Sequence, residues 1–322
     1  MECIVMSDSS NLVQLALKEL KINQKQLADM LAVSTGQISR WKNHDDYMSQ
    51  ELYEKLTTLI GLEDTPAQLA LLSGSIASAQ KWGRVIRKLA EDANENNETG
   101  YHCYQLIDFD DWGLLSNISS IFSDLGVTFP TEMPDPIDEL LNQDDLSDEK
   151  WDQFYELEHI KLIEKILSVF TDLTGFHSAY IEELSQNDNL LELTLEIESA
   201  YLYLATSKLE IREKVAPNFT AFKSEWVHWY KQKLVELKAA AVAEKVPLRE
   251  ELLNLVNDEI GNISSAAERQ SLGLNDANLH PDIYMNELLV GMRAIHQVLP
   301  AIIKKLGIEE EFQLDESDFY NG

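Results

Sequence analysis

The sequence predicts an all-α protein in which a small N-terminal helical bundle precedes a larger, acidic, all-helical domain. Three observations predict it. Apolar residues recur at three- and four-residue spacing along most of the 322 residues, and no strictly alternating run marks a strand. Pro66, Pro247 and Pro281 stand where helical patterns open, and Gly61 and Gly307 where they stop. The charge is also unevenly shared. Residues 1–90 hold ten Lys/Arg and ten Asp/Glu of the 26 and 56 in the chain, which leaves 16 and 46 in the remainder, so the whole net charge of −30 lies after residue 90. Such a split implies two parts with different electrostatic jobs.

The length suffices for two domains and a sizeable core, and a hydrophobic content of 44% is ordinary for a globular chain. Cys3 and Cys103 offer neither a disulfide framework nor a zinc pattern. The start, MECIVMSDSS, lacks the basic segment and apolar run of a signal peptide, and no run of about 18 apolar residues predicts a membrane span. A cytoplasmic protein with reduced thiols is expected.

Along the chain, residues 10–20 place Leu12, Leu15, Ala16 and Leu20 at helical spacing, with Asp8, Ser9 or Ser10 as the cap. The next stretch, QKQLADMLAVSTGQISRWKN from Gln24 to Asn43, predicts two short helices at a sharp angle. The first covers Gln24 to Leu31, with Leu27 and Leu31 on one face and the small Ala28 between them to admit a neighbour. Ala32-Val33 makes the turn, Ser34 caps the second helix, and Ile38 and Trp41 face inward from Thr35–Lys42. Thr35, Gly36, Gln37, Ser39, Arg40 and Lys42 are left outward, and their polar side chains have the length and chemistry to meet base edges and phosphates.

This pattern resembles the helix-turn-helix of the phage-repressor and Cro family, also called the XRE family. Gln24, Leu27, Ala28, Leu31, Val33, Ser34, Ile38, Ser39, Arg40 and Trp41 carry the resemblance, which spans residues 9–62. Ala32 stands where the family usually has glycine, and His44-Asp45-Asp46 where many members have glycine and fewer acids. The resemblance implies binding to double-stranded DNA as a dimer at a two-fold site, with Thr35–Lys42 in the major groove. Gln37 and Arg40 would then read base edges. Gln24, Ser34, Thr35, Ser39, Lys42 and Asn43 would contact phosphates or flank the readout.

Met48 to Ile60 predicts a further helix through Leu52, Leu56, Leu59 and Ile60, and residues 66–73 a short one. A longer helix follows from about Ser75 to Ala93, apolar through Ile76, Ala79, Trp82, Ile86 and Leu89. Lys81, Arg84, Arg87 and Lys88 cluster on it, either as phosphate contacts that extend the DNA-binding part or as a solvated face. Polar ENNETG, 95–100, sets the expected boundary. The expected parts are 1–73 for DNA binding, 74–100 as connector helix and linker, 101–307 as the acidic domain and 308–322 as an acidic tail.

In the acidic domain the pattern predicts helices at Asp111–Leu125, Ile137–Leu141, Trp151–Thr171, Phe176–Leu184, Leu190–Leu209 and Phe219–Lys245. Two more are expected from Pro247 to about Leu272 and from Pro281 to Leu306, with a proline-rich loop over 126–137. Phe222, Trp226, Trp229, Tyr230, Leu234 and Leu237 form an aromatic-rich stripe expected in the core, with a ligand pocket or dimer seam as the other uses of such a face.

Catalytic signatures are missing: there is no GxGxxG, phosphate loop, GxSxG or CxxC. Glu156/His159 and Glu225/His228 have the Glu-x-x-His spacing of carboxylate-bridged di-iron bundles, in which Glu192 or Glu196 would supply another ligand. His228, however, lies on the side of its helix away from Trp226, Trp229 and Tyr230, where a buried ligand would not point. Neither a metal, a cofactor nor an enzymatic activity is expected. The sequence therefore predicts a DNA-binding transcriptional regulator of the repressor type, whose acidic domain dimerises, senses a small molecule or holds a protein. The alternative is an antitoxin- or phage-defence-like adaptor whose acidic domain binds a basic protein and whose DNA binding is autoregulatory.

Overall fold

A computed structural model describes residues 9–62, 64–95, 111–130, 132–142, 147–256 and 287–307. All regular structure among them is helical. Contacts divide the chain into one unit formed by 1–98 with 102–257, and a second formed by 99–101 with 258–322.

The first unit opens with α1 (Ser9–Glu19), α2 (Gln24–Leu31), α3 (Thr35–Lys42), α4 (Gln50–Ile60) and α5 (Ala67–Leu72). Leu12, Val13, Leu15 and Ala16 of α1 are fully buried and form the pillar against which α3, α4 and α5 pack. Buried serines add polar ties at its start. The backbone N–H of Met48 donates to Ser9 Oγ at 3.1 Å, and Ser10 Oγ donates to the Lys42 carbonyl at 2.6 Å. Gly61 closes α4 at φ 67°, a left-handed conformation open to glycine without strain.

The expected connector is no mere link. Helix α6 (Ile76–Glu95) packs against α5, α7 (Asp111–Leu125), α8 (Asp135–Asn142) and α10 (Glu158–Ser185). Its Trp82 is fully buried, with its ring 4.7 Å from Phe129, which stacks in turn on Phe122 at 4.7 Å. Gly83 lets α7 come close, since a methyl group there would lie 3.2 Å from Leu115 Cδ1. The N-terminal bundle and the acidic helices thus share one apolar core, joined through α6 and by direct packing of α5 on α7. Most of the expected 95–100 boundary lies outside the described residues.

Helix boundaries differ from expectation in three places before residue 210, and again after Pro247. Trp151–Thr171 is interrupted at Leu157, whose extended backbone (φ −64°, ψ 129°) separates α9 (Asp148–Glu156) from α10. Phe154 and Ile160 both point into the core, and one unbroken helix would turn them about 120° apart. Beyond that break α10 runs on to Ser185, joining the two segments that had been expected separately. Phe170, Leu173, Tyr180, Ile181 and Leu184 are buried along it, and this packing outweighs the cost of about 1 kcal/mol for Gly175 in a helix interior. Leu190–Leu209 instead divides at Ala200 into α11 (Leu191–Ser199) and α12 (Tyr201–Lys208). The division follows burial: α11 buries one face, whereas α12 is buried nearly all round between α10 and α13 (Phe219–Glu244).

Helix α13 matches its expected span, with Lys245 in a left-handed cap at φ 59°. Phe222, Tyr230, Leu234 and Leu237 are buried as expected, while Trp226 and Trp229 are half-buried; Trp226 meets Trp229 edge-on and lies against Tyr203. The segment after Pro247 gives only a short α14 (Glu250–Leu253) and a 3-10 turn (Asn254–Val256), and its expected continuation to Leu272 lies outside the described residues.

In the second unit the described element is α15 (Glu287–Leu306), closed by Gly307 at φ 66°. The expected start at Pro281 and the tail 308–322 lie outside the described residues.

Candidate nucleic-acid interface

Helices α2 and α3 are the two short helices that the sequence predicts, and they pack on each other. Asn23 caps α2 through a reciprocal pair of bonds: its Oδ1 accepts from the Gln26 backbone N–H at 3.0 Å, and Gln26 Oε1 accepts from the Asn23 N–H at 2.9 Å. The helix ends at Ala32, which sits in the left-handed region at φ 57°, ψ 40°. This is the backbone that glycine adopts readily, so a side chain at this turn carries strain of about 1–2 kcal/mol. Ser34 Oγ then accepts from the Gln37 N–H at 3.1 Å and caps α3.

Ile38 and Trp41 anchor α3 from beneath, both essentially inaccessible. The Trp41 indole N–H donates to the Tyr47 carbonyl at 3.0 Å, which also fixes the loop that follows α3. Thr35, Gly36, Arg40 and Asn43 are exposed, while Gln24, Gln37, Ser39 and Lys42 are half-buried. Ser34 is exposed but spends its hydroxyl on the cap. The α2–turn–α3 unit thus presents an outward face carrying Thr35, Gln37, Ser39 and Arg40.

The sequence reading missed how these side chains are joined. Gln37 Nε2 donates to Asp46 Oδ2 at 2.8 Å, and Arg40 Nη2 donates to Gln37 Oε1. The Tyr47 N–H donates to Asp46 Oδ1 at 2.9 Å. The Gln37 amide lowers the Asp46 pKa most, followed by the Tyr47 N–H, with the Arg40 charge a smaller contribution. The acid at 46, noted as a departure from the family pattern, therefore orients the two side chains expected to read bases. Its place just after α3 was the available signal.

The cluster on α6 divides. Lys81 pairs with Asp138 at 2.5 Å and Lys88 with Asp92 at 2.7 Å, so both have acidic partners within the chain. Arg84 is exposed and Arg87 half-buried. The Glu-x-x-His pairs also part. Glu156 and His159 stand on either side of the Leu157 break, where Glu156 pairs with Lys161 and the His159 ring bonds the Thr128 carbonyl at 2.9 Å. His228 takes a bond from Gln232 at 3.0 Å. Among the described residues no group of three or more His, Cys, Asp or Glu side chains is arranged to hold a metal ion, and no helix is long and apolar enough to cross a membrane.

A histidine that the sequence left unremarked forms a fully buried polar site. His177 of α10 is fully buried, with Nδ1 3.0 Å from Tyr201 Oη and Nε2 2.8 Å from Tyr230 Oη. The Tyr230 hydroxyl donates to the Leu253 carbonyl at 2.6 Å. Tyr230 has one proton to give, so its oxygen accepts from His177 Nε2–H, and Nδ1 accepts from Tyr201. One directional chain, Tyr201 to His177 to Tyr230 to Leu253, joins α12, α10, α13 and α14. Burial, with a smaller contribution from the Lys208 charge, lowers the His177 pKa to about 3. No family model, curated protein or solved structure matches the chain.

Proposed function

We propose that this chain is a sequence-specific DNA-binding regulator of transcription, with Thr35–Lys42 entering the major groove. The observation that carries the reading is the α2–turn–α3 unit: two capped helices, a left-handed turn, a buried Ile38/Trp41 underside and a polar outer face. Arg40 reads a guanine edge, and Gln37 steers it or reads alongside it. Thr35, Lys42 and Asn43 flank the readout and meet phosphates. A two-fold dimer supplies the second half-site, since one such helix spans too few base pairs. The acidic helices serve assembly and the sensing of a ligand or partner.

Selecting bound duplexes from random DNA tests the reading. The expected result is a two-fold-related sequence. Arg40→Ala should then cost about 1–3 kcal/mol and relax one base position, whereas Lys42→Ala should weaken all sequences alike. No enrichment at low or moderate salt would refute it. The net charge of −30 favours a second reading, an adaptor for a basic protein. Co-purification of such a partner, with no enriched DNA, is its signature.

A further inference from the structure

We propose that the outer face of α13 is a self-pairing seam, on which a second copy of this chain docks with its α13 parallel to the first. The inference rests on α13 and its neighbours and does not require DNA binding.

Helix α13 carries two patterns. Phe222, Tyr230, Leu234, Leu237 and Ala241 turn into the core. On the opposite side His228, Gln232, Val235, Ala239 and Val242 are all exposed. Their spacing, four-three-four-three, is the heptad rhythm that keeps one stripe facing a partner helix. Over these residues the stripe runs about 21 Å. Its valines are 69% and 77% exposed. Gln232 Nε2 bonds His228 at 3.0 Å, which makes one end of the stripe polar and the other apolar. Polar residues at such positions fix register at some cost in stability.

The flanks specify the partner. On one side Lys233 is shared between Glu196 at 2.5 Å and Glu236 at 2.9 Å, two carboxylates on one ammonium. That flank is net negative by one. On the other side lie Lys231, exposed, and Lys238, which pairs with Glu250 at 3.1 Å. That flank is net positive by one. In a parallel pair about a two-fold axis, each flank meets the opposite flank of the partner. Lys231 of each copy then faces Glu236 of the other, five residues on, the usual register for charges beside a parallel seam. Antiparallel pairing would set acid against acid and lysine against lysine. The surface is thus complementary to itself in one orientation only.

The test uses the full chain in sedimentation equilibrium. A dimer is expected, and Val235→Glu with Val242→Glu should dissociate it while helix content holds and the melting temperature falls only as far as the lost association accounts for. Lys231→Glu should weaken dimerisation about tenfold, and adding Glu236→Lys should restore it. In a chain carrying Cys3→Ser and Cys103→Ser, single changes Gln232→Cys, Val235→Cys and Val242→Cys should each give a covalent dimer on mild oxidation. A monomer at tens of micromolar, a dimer indifferent to the two glutamates, or a charge reversal without rescue would overturn the proposal. So would cross-linking at just one of the three sites, the mark of antiparallel pairing.

Discussion

Replacing His177 by glutamine should make the chain less sensitive to mild acid. In the folded protein the ring is neutral, closed off from water and committed at both nitrogens. Its ordinary pKa of 6.5 falls to about 3 on folding, chiefly through burial. The folded value is depressed, so the unfolded chain binds the proton first. The stability associated with the neutral ring is fully present above about pH 6.5 and is lost progressively as pH falls toward 3. The full shift corresponds to roughly 5 kcal/mol, at about 1.36 kcal/mol per unit. Between pH 7.5 and pH 5.0 the unfolded ring becomes protonated and the folded one does not, which removes about 2 kcal/mol. Glutamine can keep a donor and an acceptor in the chain of hydroxyls but does not titrate. Urea unfolding followed by circular dichroism at pH 7.5, 6.5 and 5.0 gives the stability of both proteins. All of these lie above the sequence pI of about 4.4, so net charge keeps its sign. Carboxylates titrate in both and cancel in the difference. The wild-type advantage should shrink by about 2 kcal/mol from pH 7.5 to pH 5.0. A difference that stays constant would refute the claim that the ring is buried and neutral.

Three further outcomes are expected. Ala32→Gly should raise stability by about 1 kcal/mol by relieving the left-handed backbone, offset in part by the freer unfolded chain, with DNA affinity unchanged; a lower melting temperature would count against the strain. Asp46→Asn should release Gln37 and Arg40 and broaden base preference, beyond the general low-salt gain from losing one negative charge. Binding to selected and random duplexes across a salt series separates the two effects, and equal gains on both would deny Asp46 a part in readout. Tyr230→Phe should cost about 1–3 kcal/mol by leaving His177 Nε2–H and the Leu253 carbonyl without their shared partner. Hydrogen exchange should quicken around residues 253–256, and unchanged protection there would refute the tie.

The helical class and the α2–turn–α3 unit were legible because each rests on local rules. Apolar spacing buried Leu27, Leu31, Ile38 and Trp41 as expected, and Ser34 was recognisable as a cap from its neighbours alone. What escaped depends on partners distant in sequence. Nothing local marks His177 as the acceptor of one tyrosine 24 residues away and the donor to another 53 away. Leu157 breaks a periodic run because Phe154 and Ile160 must enter the same core, a demand of tertiary packing. Charge misled in a different way: the electrostatic divide after residue 90 is real, yet charge governs the surface while Trp82, beneath it, belongs to both sides.

That shared tryptophan makes the two halves energetically inseparable. A chain cut once between residues 96 and 110 should yield fragments that stay together without a covalent bond, because parting them would expose Trp82, Phe129 and Phe122 to water. For the same reason residues 9–62 are a poor choice for transplantation onto another protein, and heating should show one absorption peak for this unit where two independent domains would give two.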